Sequence, residues 1–128
     1  MKYEWLQEYA TAKKGAYKEY KPEWEVDRYM IRDKMFIMHG GDKSGREIIT
    51  LKLEPVEGQF LRGQYKDVIV PGYYMNKDHW NSVYTDTESL CGRDVPDDVL
   101  RDMIDKSYAL ILGSFSKKAQ KEILESEK

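Results

Sequence analysis

The spacing of apolar positions changes period several times along the chain, and each change predicts an element. Over residues 2–13, Trp5 with Tyr9 and Leu6 with Ala10 stand four apart, as on one helical face. Lys13 and Lys14 suit the negative end of that helix, and Gly15 stops it. Residues 16–20 alternate weakly and read as a short strand. From 25 to 53 the period falls to two. Val26, Arg28 and Met30 alternate with Asp27, Tyr29 and Ile31, a strand apolar on both faces. Asp33-Lys34 reads as a tight turn, Met35–His39 as the next strand, and residues 40–45 as a polar loop with three glycines. Arg46–Leu53 returns with Ile49, Leu51 and Leu53 on one face, antiparallel to its predecessor because the link is short.

Pro55 then suits the first turn of a helix whose core face is Val56, Phe60, Leu61 and Tyr65. The stretch Val68-Ile69-Val70-Pro71-Gly72 breaks it. Residues 73–79 read as irregular, with Asn76 capping a turn, and Trp80–Thr85 as a strand. Thr87–Asp94 is a loop carrying Cys91. Pro96-Asp97-Asp98 opens a helix over 97–112, in which Leu100, Met103, Ile104, Ser107, Tyr108 and Ile111 keep helical spacing up to Gly113. Ser116 N-caps a last helix, 117–126. The order is α-β-β-β-β-α-β-α-α, an α+β domain spanning 1–128 without repeat or linker.

Composition narrows the classes. The chain has 128 residues, 41% hydrophobic and 34% charged, enough for one core without metals or disulfides. It contains no run approaching the roughly 20 apolar residues of a membrane span, and no secretory segment follows Met1. A cytoplasmic location is expected. One cysteine excludes an internal disulfide and a cysteine-based zinc site. A net charge of −2 and a pI near 5.7 argue against a strongly basic nucleic-acid module.

Four phrases carry a family resemblance: Lys34-Met35-Phe36, Leu51-Lys52-Leu53, Pro71-Gly72-Tyr73-Tyr74-Met75-Asn76-Lys77-Asp78-His79-Trp80, and Ser107-Tyr108 with its apolar helix. In order and separation they resemble the bacterial MmcQ/YjbR proteins, over nearly the whole chain, and the ten-residue string is the most specific. The resemblance implies a compact α+β domain with helices on one face of an antiparallel sheet, likened to secretion-chaperone and frataxin-like folds. It also implies a DNA-binding label, which rests on comparing two hairpins with a pair of wings.

Charge tests that label. Residues 34–53 carry four basic and two acidic residues, net +2, whereas residues 80–98 carry one Arg against five acids, net −4. A duplex repels the second segment. If DNA binds, Lys43, Arg46 and Lys52 contact phosphate with Lys77, while Tyr74 and His79 offer rings for stacking. The competing reading is a solvated hairpin whose charges protect an edge strand, with Trp80 and Asn76 structural. Lys117 and Lys118 in the first turn of the last helix are expected to form an anion site, or else a frayed terminus.

Enzyme chemistry is not expected. A Cys91–His79 pair requires the fold to join them, and an acidic loop weakens the thiolate. Ser114 and Lys117 match Ser-x-x-Lys only by letters. The 40–45 loop lacks a P-loop ending. His39, Asp78 and His79 lack metal-ligand spacing, and Glu4 with Glu8 make no acidic ridge for iron, so no metal or cofactor is expected. Besides a nucleic-acid partner, the sequence leaves open a chaperone-like protein-interaction module, homodimerising or not, and a ligand pocket between the sheet and helix 97–112 under the 73–80 loop.

Overall fold

A computed structural model describes residues 2–72, 75–86 and 94–126. Ten elements follow one another: α1 (Leu6–Thr11), β1 (Ala16–Lys21), β2 (Val26–Ile31), β3 (Lys34–Gly41), β4 (Glu47–Lys52), α2 (Pro55–Gln64), β5 (Ile69–Pro71), β6 (Trp80–Tyr84), α3 (Asp97–Gly113) and α4 (Lys117–Leu124). The six strands form one antiparallel sheet in the order β1-β2-β3-β4-β6-β5. The α+β class is the one expected. No helix among the described residues is long and apolar enough to cross a membrane.

The element order gains a strand. The apolar stretch that was to break a helix forms β5, whose Ile69 pairs with Val83 and is buried. Three residues are too few for an alternation to register, which is why periodicity missed it. The β2–β3 turn is Arg32-Asp33, one residue earlier than expected, with Arg32 in the left-handed region at φ 53°. That suits the two-residue hairpin connections whose twist matches the strands.

A bulge fixes the core side of β3. Tyr29 pairs with Ile37 and Met30 with Met35, so Phe36 is the extra residue. Phe36 and Ile37, adjacent in sequence, are therefore both in the core with 0% exposure. Packed on them from α3 are Leu100, Met103 and Ile104. Ser107, also fully buried, donates its hydroxyl to the Phe36 carbonyl at 2.7 Å and accepts from the Lys52 amide at 2.9 Å.

Three phenols tie the N-terminal segment to the α3 region. Tyr3 donates to the Val95 carbonyl, Tyr9 to Asp105, and Tyr108 to the Lys14 carbonyl, each at 2.7 Å. Burial pushes the Tyr3 hydroxyl up to about 12.

Helix α2 turns a different face to the core than its sequence predicts. Val56 and Phe60 are 80% and 67% exposed, while Gly58 and Leu61 are buried. The cause is a close approach to β6. A Cβ at Gly58 would stand 3.0 Å from the Asn81 side chain, and Arg62 also donates to Asn81. Backbone contact at Gly58 sets the rotation, and Val56 and Phe60 lose their place against the sheet while Leu61 keeps it. The opposite face of the sheet is buried too, at Met30, Met38, Ile48 and Tyr84, so burial runs without alternation over Tyr29–Ile31 in β2 and Ile48–Leu51 in β4.

Candidate binding groove at the hairpin end

The β1–β2 turn and the β3–β4 loop lie at the same end of the sheet. The first is Lys21-Pro22-Glu23-Trp24-Glu25, closed by the Trp24 amide donating to the Lys21 carbonyl at 3.1 Å, with Glu25 left-handed at φ 54°. This turn holds Trp24 outward, 53% exposed. Lys21 Nζ stands 5.3 Å and the Arg28 guanidinium 5.5 Å from its ring centre, and Arg28 is paired with Glu19.

Asp42 organises the second loop. Its Oδ1 accepts from the Ser44 amide and hydroxyl at 2.9 and 2.8 Å and from the Arg46 amide at 3.0 Å, and its Oδ2 accepts from the Tyr84 hydroxyl at 2.8 Å. Led by the Ser44 hydroxyl, these bonds hold the carboxyl down at about 2. Gly45, at φ 87°, closes the turn.

Between turn and loop runs a groove of about 670 Å³. Its floor is Val26 and Met38, and its rim is Glu23, Trp24, Glu25, Asp42 and Lys43. Gly40, beneath Val26, permits this floor. A Cβ there would stand 2.4 Å from Val26 Cγ1, so only glycine lets Val26 lie flat across β3.

The residues expected to meet DNA fall into separate groups. Lys43 is exposed at the rim of the groove. Arg46 is spent on the fold: it grips Asp86 with two bonds of 2.9 and 2.8 Å and stacks 3.7 Å from the centre of the Tyr84 ring. The Asp86 carboxylate raises the Arg46 pKa and is itself lowered by Arg46. Beside it, His39 meets Glu47 at 2.7 Å, and Thr85 donates to Glu47 at 2.5 Å. Burial pushes Glu47 up, but the Thr85 and His39 bonds outweigh it and leave the carboxyl below its ordinary range. Lys52 ends β4, whereas Arg46, expected on the same strand face, precedes the strand and stands six residues away, about 20 Å along an extended chain. Lys52 pairs across the ladder with Trp80, near Lys77 and His79. Asn76 accepts from the Asp78 amide at 2.9 Å, so the expected cap forms. Tyr74 and Cys91 lie outside the described residues. Lys117 and Lys118 are exposed on α4 at the opposite end of the sheet, where Ser116 takes the Ala119 amide.

Sequence reading missed Trp24, Met38, Tyr84 and Asp86. A tryptophan after Pro22 between two strands was the one available signal. The rest depends on strand pairing, since Asp86 meets Arg46 from 40 residues away.

Fold and groove define a small α+β domain built on an open antiparallel sheet, its helices packed against one face and its hairpin end left accessible. The YjbR family model matches residues 11–110, and the chain belongs to that family. It is 34% identical over 99 residues to the uncharacterised protein YbdF of Escherichia coli O157:H7, covering 77% of this chain and 75% of that protein. It is 31% identical over 103 residues to the uncharacterised protein YjbR of Escherichia coli K12, covering 80% of each. The fold is similar to that of Deinococcus radiodurans protein DR2400, at TM-score 0.75 and 24% identity, covering 92% of this chain and 84% of that one. A Pseudomonas syringae protein matches at TM-score 0.63 and 22% identity, covering 86% and 98%.

Proposed function

We propose that the protein is a non-enzymatic interaction module that receives a short segment of a partner protein in the hairpin-end groove. One observation carries this reading: Trp24 is held outward beside an apolar floor. A large aromatic side chain of this kind, beside a pocket, is the typical anchor of an interface. A volume near 670 Å³ is that of a ligand cleft and suits a short segment rather than a folded domain. The chemistry around it is employed in holding shape, with Asp42, Arg46, Asp86, Glu47 and His39 bonded to one another or to Tyr84 and Thr85. Selection from a displayed random-peptide library tests the reading. Enriched sequences that fail to bind Trp24→Ala support it, and enrichment indifferent to Trp24 overturns it.

Nucleic-acid binding is the second reading, and the exposure of Lys43 and Lys77 favours it. With Arg46 already neutralised by Asp86, this reading relies on Lys43, Lys52 and Lys77, with His79 and Tyr74 for stacking. Fluorescence anisotropy of labelled single- and double-stranded DNA at two salt concentrations tests it. Affinity that falls steeply with salt and weakens in Lys43→Glu and in Lys77→Glu supports it. No binding at low salt removes it.

A further inference from the structure

We infer that the segment taken by the groove is extended and cationic, an apolar residue flanked by lysine or arginine. The inference rests on the interaction-module reading above and specifies its partner. Charge complementarity carries it. Three acidic residues, Glu23, Glu25 and Asp42, line the groove with one lysine, Lys43. Asp42 stays ionised through its bonds from Ser44 and Tyr84. Glu23 and Glu25 form no ion pair among the described residues, and the turn fixes them on either side of Trp24. The cations nearest the ring do not reverse the sign, because Arg28 is paired with Glu19 and Lys21, charged over the indole, leaves three carboxylates against two ammonium groups.

Geometry gives each part of the segment a place. An aliphatic side chain meets Val26 and Met38, and methionine adapts its shape to what it covers. Cationic side chains on either side reach the Glu23 and Glu25 carboxylates. An anionic strand, including a nucleic-acid backbone, meets like charge at three points of the same rim. Complementary charge of this kind selects partners and speeds encounter more than it adds raw affinity.

The test uses three peptides carrying fluorescein on the N-terminal amine, on the full chain at low salt: Gly-Lys-Leu-Arg-Gly-amide, and the same peptide with both basic residues replaced by glutamine or by glutamate. The basic peptide is expected to bind and the glutamate peptide not to. Glu23→Lys with Glu25→Lys should weaken the basic peptide by about tenfold or more, the effect of roughly 1.4 kcal/mol, and should admit the glutamate peptide. A matched melting curve shows that the double variant is folded. Equal binding of the glutamine and basic peptides, an indifferent double variant, or no binding of the basic peptide overturns the inference. If Trp24→Ala abolishes binding of peptides of every charge, the groove stands and only the cationic partner falls. If Trp24→Ala changes nothing, both fall.

Discussion

The Ser107 hydroxyl and the Phe36 carbonyl are bonded at 2.7 Å across 71 residues, one step beyond the last ladder pair of β3 with β4, Ile37 with Leu51. With the Lys52 amide bonded to the same hydroxyl, a side chain from α3 extends the β3–β4 ladder past its last pair. This accounts for a serine on an otherwise apolar helical face. Ser107→Ala leaves a buried donor and acceptor without partners and is expected to cost about 1–3 kcal/mol. Chemical denaturation checks it: an unchanged midpoint and slope would exclude the bridging role.

The groove floor depends on Gly40. Gly40→Ala places a Cβ against Val26 and is expected to cost about 1–3 kcal/mol by overpacking. Gly63→Ala, on an open helix surface with nothing within 4 Å, is expected to be neutral or slightly stabilising. Melting of the two variants side by side separates close approach from a general aversion to alanine.

Lys43 and Arg46, expected from sequence to act together, should separate. Lys43→Glu changes an exposed rim residue and should shift stability by no more than about 0.5 kcal/mol. Arg46→Glu breaks the Asp86 fork and the Tyr84 stack and should cost about 1–2 kcal/mol, each contact being worth at most ~1 at this exposure. A double charge reversal therefore confounds binding with folding, and Lys43→Glu alone is the cleaner probe. Equal melting temperatures for the two variants would contradict this division.

Acid should loosen the β3–β4 loop. Asp42 is held at about 2 against an ordinary 3.8, a depressed carboxyl. Its contribution is complete above the unfolded value near 4 and is lost as pH falls through the folded value near 2. Glu47, also lowered, acts in the same direction. Asp42→Asn should be less stable than the parent at neutral pH and should lose less stability between pH 4 and 2. Parallel pH profiles for the two proteins would show that the loop bonds do not bind protons differently on unfolding.

Much of this fold was legible because its longest elements have clean periods. Of the six expected contact positions of helix α3, Leu100, Met103, Ile104, Ser107 and Ile111 are buried and Tyr108 is half-buried against the core, and Ser116 caps α4 as its residue type predicts. The illegible parts are the three-residue β5, too short to show a period, and places where a tertiary contact or an inserted residue overrides the local pattern. Gly58 against Asn81 rotated α2 and exposed Val56 and Phe60. A single extra residue at Phe36 changed which side chains face inward. The site was harder still. Its charges are readable as letters, but whether Arg46 is free or held depends on Asp86, and pairing across 40 residues leaves no local mark. Phe60→Ser tests the rotation directly: at this exposure it should shift stability by about 0.5 kcal/mol or less, where a core phenylalanine would cost several times more.

The phenol of Tyr3 reaches a carbonyl 92 positions further along the chain. At a ribosome adding about 5–20 residues each second, the N-terminal segment waits roughly 5–20 s before its partner has been made. During that interval Tyr3, Tyr9 and the apolar side of α1 have no α3 region to meet, while the β1–β4 meander already has its hairpin neighbours. The three phenol bonds between the N-terminal segment and the α3 region can therefore form only after all four hairpin strands have been made.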